Sequence, residues 1–434
     1  MANNDTKAFG LWSAIFLGIG TMVGAGIFVL LGEAGAIAGN LVWISFIFGG
    51  IIALLSGYSL AKLAIAYPSR GGIVEYLVQG YDEGIFSGSL SVLAYLSATI
   101  SIAMVAKTFG TYAAAMGGHN SHIWVDLYSI GILLLFMVVN LAGSFWIAKS
   151  ENLIVVVKLS IIVIFVVAIF PHIKPTLLSL QDAPPIINVF SSIALTFFAF
   201  EGFRVITNTV EEMKNPSETM LKSMILAILI VMVLYVAVTF AVFGNLPLSE
   251  VIKAQDYALA EAAKPAFGET GFILISIAAL ISTASSINAS LYAVTNITYQ
   301  MAKNGELPEI YERNIGHSTE GLVVSTVLLI IFVLFFNLTQ IAAAGSISIL
   351  FIHAFVHIGH LFKIKQTGAS RVMVWLAIVS IVLAIGLALN YTSKHIPSIG
   401  YIVAGGFIFA FILEVLLRLT THRVVQKQTV SVAP

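Results

Sequence analysis

Lys158 stands inside the run Leu153 to Phe170, where every other side chain is un-ionisable and most are aliphatic. A charge near the centre of a bilayer costs about 2.5–3.5 kcal/mol on insertion scales, so such residues face a bundle interior and mark ion or proton pathways. Removal from water favours the uncharged amine, and a lysine poised that way can take a proton from one side and release it to the other. The alternative is a structural ammonium held permanently charged by helix-end carbonyls. A second apolar run is interrupted at Phe197-Phe-Ala-Phe-Glu201-Gly202-Phe203-Arg204, where a carboxylate and a guanidinium flank a glycine. His353, His357 and His360 fall at i, i+4 and i+7, along one face of a helix. Two histidines one turn apart can share a zinc ion, but no carboxylate or cysteine lies beside them in sequence, and no metal is expected. An auxiliary protonation role and polar packing at a helix end are the other readings.

The stretch Gly18-Ile-Gly20-Thr-Met-Val-Gly24-Ala-Gly26-Ile-Phe28 carries four glycines within nine residues. Glycine inside a helix costs about 1 kcal/mol relative to alanine, and non-helical backbone at membrane depth persists only where it lines a cavity. This stretch and the Glu201-Gly202 region therefore predict two interrupted helices; close helix packing on small residues is the other use of such glycines. A half-helix beginning at Gly24, Ala25 and Gly26 would present free N–H groups to a carboxylate. A Cβ at Gly24 or Gly26 would occupy the space such a carboxylate needs. Carbonyls around Met22, Phe198, Ala199 and Glu201 would accept from an ammonium, so the two breaks together match the two ends of a zwitterion. Phe198, Phe200 and Phe203 would then form the wall or lid for its side chain.

These residues need a membrane bundle to position them. The chain of 434 residues is 59% hydrophobic and 10% charged, against about 25% charged residues in soluble domains. Apolar stretches near spanning length recur at about 12–37, 42–66, 86–113, 123–143, 152–171, 187–210, 222–244, 270–301, 321–337, 339–362, 372–391 and 398–419. An all-α polytopic membrane protein with twelve transmembrane helices is expected, as a single transport domain over 1–434. Most of the 21 Lys and Arg fall in loops on one side of that arrangement. Lys174, Lys253, Lys264 and Lys394 fall on the other side, and Lys107, Lys158 and Arg204 within spans. The bias predicts both termini in the cytoplasm. The first apolar segment is too long for a cleavable signal peptide, and the chain has no cysteine, which excludes disulfides, thiolate metal sites and cysteine nucleophiles. The breaks fall in spans one and six, matching positions of two five-span repeats with the second inverted, which is the sequence pointer to a transporter site at mid-membrane. The repeats would cover about 12–171 and 187–362, leaving peripheral helices at about 372–419.

Gly20-Thr-Met-Val-Gly-Ala-Gly-Ile-Phe28 and Phe200-Glu-Gly-Phe203 resemble the first- and sixth-helix motifs of the amino acid–polyamine–organocation (APC) superfamily. Tyr67-Pro-Ser-Arg-Gly-Gly72, Glu211-Glu-Met-Lys-Asn-Pro216, Gly244-Asn-Leu-Pro247 and Ala302-Lys-Asn-Gly-Glu-Leu-Pro308 extend the likeness, in order, along nearly the whole chain. The likeness is strongest to its archaeal proton-coupled, broad-specificity amino acid transporters, which carry a fifth-helix lysine in a matching Val-Lys-Leu context. It implies a LeuT-type fold of 5+5 inverted repeats plus two peripheral helices, in the cell membrane, with alternating access and proton-coupled amino acid symport as the activity. It also implies that Lys158 takes the place of a coupling cation, against carbonyls near Ile19, Gly20 and Met22 and hydroxyls of Ser282, Thr283 or Ser286. The coupling ion would be H+, with no cofactor, a small amino acid and the lipid bilayer as partners, and no nucleic acid.

Arg204 departs from the family, where many relatives carry an acidic or neutral residue. It can pair with Glu201 or Glu211, or bias the pocket toward anionic side chains and act in gating. Glu201 invites the opposite reading, an amino acid/polyamine exchanger of the same fold selecting cationic substrates. Lys107, near a span end, is expected to snorkel to the interface. An embedded enzyme would need a nucleophile–base set, which the sequence lacks. A channel would need repeated filter segments, and the two breaks differ in sequence.

Overall fold

The computed structural model describes residues 10–421 except 70, 120, 144, 180–182 and 304, and leaves the side chains of 25, 145–153 and 421 outside the described set. In chain order the helices are α1 (Leu11–Ala38), α2 (Val42–Ala66), α3 (Ile73–Tyr81), α4 (Ile85–Met116), α5 (His122–Ala142), α6 (Phe145–Ile169), α7 (Ile186–Ser191), α8 (Ile193–Phe200), α9 (Pro216–Phe243), α10 (Leu248–Lys253), α11 (Ala258–Glu261), α12 (Lys264–Lys303), α13 (Glu320–Phe335), α14 (Leu338–Leu361), α15 (Ile364–Thr367), α16 (Arg371–His395) and α17 (Ser398–Thr421). The protein is all-α and polytopic. Among the described residues ten segments are long and apolar enough to cross a membrane, one of them running from Gly26 of α1 through α2, while Leu11–Gly24 of α1 and Glu320–Phe335 are shorter apolar stretches. A two-residue β-hairpin pairs Asn314 with Thr319 and Ile315 with Ser318.

Local sequence sets the helix ends. Asn337 accepts from Gln340 N at 2.8 Å while Gln340 Oε1 accepts from Asn337 N at 3.1 Å, a reciprocal cap that starts α14. Pro216 opens α9, where a missing N–H costs nothing. Within α12 two helices join at Gly268, whose φ of 61° and ψ of −154° suit glycine almost alone. The centre of the bundle is built by α1, α4, α8 and α14, while α5, α6 and α17 show most of their surface outward. On α6 the buried positions Val155, Lys158, Ile162, Phe165 and Ile169 recur at helical spacing, whereas Ile164 and Val167 are 64% and 67% exposed. Lys158 lies on that inward stripe at 1% exposure.

Two expectations separate here. The glycine-rich first span is not broken: α1 is one continuous helix from Leu11 to Ala38. Its glycines serve close packing, since a Cβ at Gly18 would press on Ile206, at Gly20 on Val155 and at Gly35 on Phe243. A loss of about 1 kcal/mol per glycine is offset where tertiary contacts need the missing side chain. The sixth span does change form: α8 stops at Phe200 and the chain continues as a 3-10 helix over Glu201–Glu212. Such runs rarely exceed a few residues and mark hinges or strain. Thr207 and Thr209 hydroxyls donate to the carbonyls of Arg204 and Ile206 at 2.7 and 2.8 Å, competing with the regular ladder.

Candidate functional site

The 3-10 segment and α1 touch backbone to backbone. A Cβ at Gly202 would lie 2.6 Å from the Thr21 carbonyl carbon, so only glycine admits this crossing. Thr21 Oγ1 donates to Gly202 O at 2.9 Å and fixes it. At the next residue of α1, Tyr235 of α9 donates to Met22 O at 2.7 Å and to Ala199 O at 3.1 Å, tying α1 to the end of α8. A Cβ at Gly26 would strike both the Tyr235 hydroxyl and the Ala199 carbonyl.

A cavity of about 50 Å³ opens beside this crossing, lined among others by Met22, Gly26, Phe198, Ala199, Glu201 and Arg204. It is far smaller than the roughly 300–1,000 Å³ that drug-sized ligands occupy, so the bundle is closed tightly about it. Several residues expected at a substrate site are elsewhere. Phe200 packs against Phe46 and Tyr235, and Phe203 against Phe197 and His353, both away from the cavity. Gly24 faces Ser286, whose Oγ a Cβ there would approach to 2.5 Å, and because α1 is continuous, no free half-helix terminus begins at Gly24 or Gly26. The side chain of Ala25 is outside the described residues. Ser101, Met104 and Val105 of α4, with Ser290, complete the wall. Sequence reading missed them because α4 carries no motif; the one available signal is Ser286 and Ser290 at i and i+4.

Lys158 Nζ donates to Gly20 O at 2.6 Å, immediately before the cavity-lining Thr21 and Met22 of α1. Ile19 is buried beside it in sequence. The expected hydroxyls point their own protons elsewhere: Ser282 to Val23 O at 3.2 Å, and Thr283 to Ala279 O of its own helix at 2.7 Å. Ser286 is a cavity-wall residue. The carbonyls of Gly20, Met22 and Val23 thus each accept a side-chain proton from a different helix, on α6, α9 and α12.

Arg204 Nε lies 2.5 Å from Glu201 Oε1, an ion pair three residues apart, which is one full turn of a 3-10 helix. The other carboxylate oxygen is 2.9 Å from His353 Nε2 of α14. Glu201 is therefore held by a cation on one side and an imidazole on the other, and both it and Arg204 line the cavity. Among the described residues no group of three or more His, Asp or Glu is placed to hold a metal ion.

At the other end of α1, Glu33 accepts from Gln255 Nε2 at 2.7 Å and from Thr339 Oγ1 at 2.9 Å, closing α1 against the 255–257 turn and α14. Lys107 does not reach out to an interface: it is buried, donates to Phe336 O at 2.5 Å and lies 3.4 Å from Asp126. Outside the spans, burial raises the Asp256 carboxyl, with Lys107 and His122 opposing.

A sequence profile described as amino acid permease matches residues 9–417. The chain is 36% identical over 421 residues to an uncharacterized protein of Methanocaldococcus jannaschii, covering 96% of this chain and 97% of that one. It is 36% identical to the inner membrane transport protein YbaT of Escherichia coli over 80% and 82% of the two chains. It is 27% identical to the serine/threonine exchanger SteT of Bacillus subtilis over 70% of each.

Proposed function

The chain belongs to the amino acid permease family and is an amino acid transporter rather than an enzyme, and on that premise we propose that it takes up amino acids by proton symport. Transport follows alternating access about the cavity at the α1 crossing, within a LeuT-type arrangement of inverted repeats over about 12–171 and 187–362 with peripheral helices at about 372–419. The protein resides in the cell membrane with both termini in the cytoplasm. Substrate meets Met22, Gly26, Phe198, Ala199 and Glu201, and Lys158 carries the coupled proton.

One observation carries this reading: a fully buried amine on α6 donates to Gly20 O of the helix that walls the cavity. Protonated, it holds α6 to α1 by a charge-assisted hydrogen bond, worth about 1.5–3 kcal/mol. Deprotonated, it loosens that tie, so α1 can shift only in step with the proton. The carboxyl end of the substrate competes for the same crossing, which couples the two events.

Exchange is the second reading, favoured by the likeness to the serine/threonine exchanger of B. subtilis. A version selecting cationic side chains through Glu201 is opposed by Arg204, which already neutralises that carboxylate at 2.5 Å. Proteoliposomes loaded with buffer alone decide the matter. An inward acid gradient is expected to drive accumulation of labelled alanine, glutamate or arginine, and Lys158→Ala to abolish it. Accumulation by a sodium gradient without an acid gradient overturns proton coupling, and a strict need for internal amino acid establishes exchange.

A further inference from the structure

The histidines of α14 are not isolated polar residues. His353 Nε2 lies 2.9 Å from Glu201 Oε2, and its Nδ1 lies 2.7 Å from Ser56 Oγ of α2. The same Ser56 Oγ is 2.9 Å from His357 Nε2. All four residues are 4% exposed or less, and the rings of Phe197 and Phe203 close the sides of His353 at 5.2 and 5.8 Å. Hydrogen-bond polarity along the row is fixed from one end. An ionised carboxylate only accepts, so His353 carries its proton on Nε2 and accepts at Nδ1 from the Ser56 hydroxyl, whose oxygen then accepts from His357 Nε2–H. That leaves a lone pair on His357 Nδ1, which has no hydrogen-bond partner among the described residues. One turn on, His360 is 2.7 Å from Ser59 Oγ and 2.8 Å from Thr367 Oγ1, at the end of the bundle assigned above to the cytoplasm.

We propose that His357, Ser56 and His353 form a proton relay that protonates Glu201 at the cavity wall. It rests on the proton-coupled reading and adds a second protonation site to it. A proton arriving at His357 Nδ1 releases the Nε2 proton to Ser56 oxygen; the hydroxyl passes its own proton to His353 Nδ1; and His353 gives its Nε2 proton to Glu201 Oε2. One proton enters and one is delivered, and the three residues between end neutral with their hydrogens reversed. Glu201, now uncharged, no longer holds Arg204 by charge, and the guanidinium on the cavity wall becomes available to a substrate carboxylate. The relay thus exchanges an internal anion for an external one at Arg204.

The titratable groups on the elements around α14 are Glu33 of α1, Tyr58 and Lys62 of α2, Glu75, Tyr76 and Tyr81 of α3, Tyr95, Lys107 and Tyr112 of α4, Glu201, Arg204, Glu211 and Glu212 of the 3-10 segment after α8, Arg371, Tyr391, Lys394 and His395 of α16, and Tyr401, Glu414 and Arg418 of α17. Among the described residues only Glu201 of all these charged groups contacts a histidine ring nitrogen of the relay. Tyr81 donates instead to Phe355 O at 2.8 Å, and Glu75 accepts from Gln79 at 2.8 Å.

Infrared difference spectra of the purified full-length protein after a drop in pH test the relay without needing a substrate. A protonated-carboxyl band that Glu201→Gln removes is expected, and its rise should slow about tenfold or more in His357→Gln and in Ser56→Ala, as expected of a raised proton-transfer barrier. Ser56→Ala changes volume little, so it separates a lost link from a lost fold. Unslowed appearance in both variants, or a band that Glu201→Gln leaves intact, overturns the relay whatever the vesicle experiment gives. If the slowing is found but wild-type vesicles accumulate solute without an acid gradient, the relay stands and symport falls.

Discussion

Lys158 and Glu201 are both buried charges near the α1 crossing, Glu201 on the cavity wall and Lys158 behind α1, but their partners differ in kind. Lys158 donates to a backbone carbonyl, a dipole that cannot titrate, whereas Glu201 sits between a guanidinium and an imidazole. A change at the first site alters a tie to backbone that cannot titrate; a change at the second is passed to groups that must rearrange their own protons. The lesson is that two equally buried charges can be a local latch and part of a network, and only the identity of the partner tells which.

Stability should separate the two most sharply. Arg204→Ala leaves a buried carboxylate without its cation and is expected to cost about 3–5 kcal/mol, read by thermal or denaturant unfolding in detergent. Adding Glu201→Gln should recover much of that loss. Lys158→Met, by contrast, removes a charge-assisted hydrogen bond to backbone without stranding an opposite charge there, and should cost no more than about 1.5–3 kcal/mol. A large loss in Lys158→Met would erase the distinction drawn between the sites.

Steric closure at the crossing comes next in size. Gly202→Ala should cost about 1–3 kcal/mol by overpacking against Thr21 and Met22 and weaken substrate binding. Gly400→Ala, which meets nothing within 4 Å, should do neither. Tyr235→Phe removes the proton shared by Met22 O and Ala199 O and is expected to cost about 1 kcal/mol, with a matching loss of substrate affinity by thermal shift. The smallest effect belongs to Asp256, away from both sites. Burial raises its carboxyl above the ordinary value of 3.8, with Lys107 and His122 opposing, so its contribution is greatest below that value and is lost as pH rises through the raised one. Asp256→Asn should therefore flatten the pH dependence of unfolding and stabilise the neutral-pH protein slightly.

The spans were readable because burial in lipid demands long apolar runs, and α2, α5 and α14 begin and end within one residue of where hydropathy places them, whereas α9 starts six residues earlier. Lys158 and Glu201 stood out for the same reason: a charge inside such a run is visible without a fold. The form of α1 was not readable. Its glycines fit either a break or close packing, and Ile206, Val155 and Phe243, which decide for packing, lie far away in sequence. The direction of Phe200 and Phe203 was equally hidden, because the switch from α8 to a 3-10 helix changes the angle between successive side chains.

The sequence by itself determined that this chain is a helical membrane protein, that Lys158 is a charge inside a span, and which residues interrupt its sixth span, since each follows from the cost of polar groups in hydrocarbon. Tertiary structure alone decided that Arg204 meets Glu201 and that Ser56 stands between two histidines of another helix. Those contacts depend on the rotation and spacing of helices remote in sequence, and hydrogen bonds form only within about 3 Å of the right geometry.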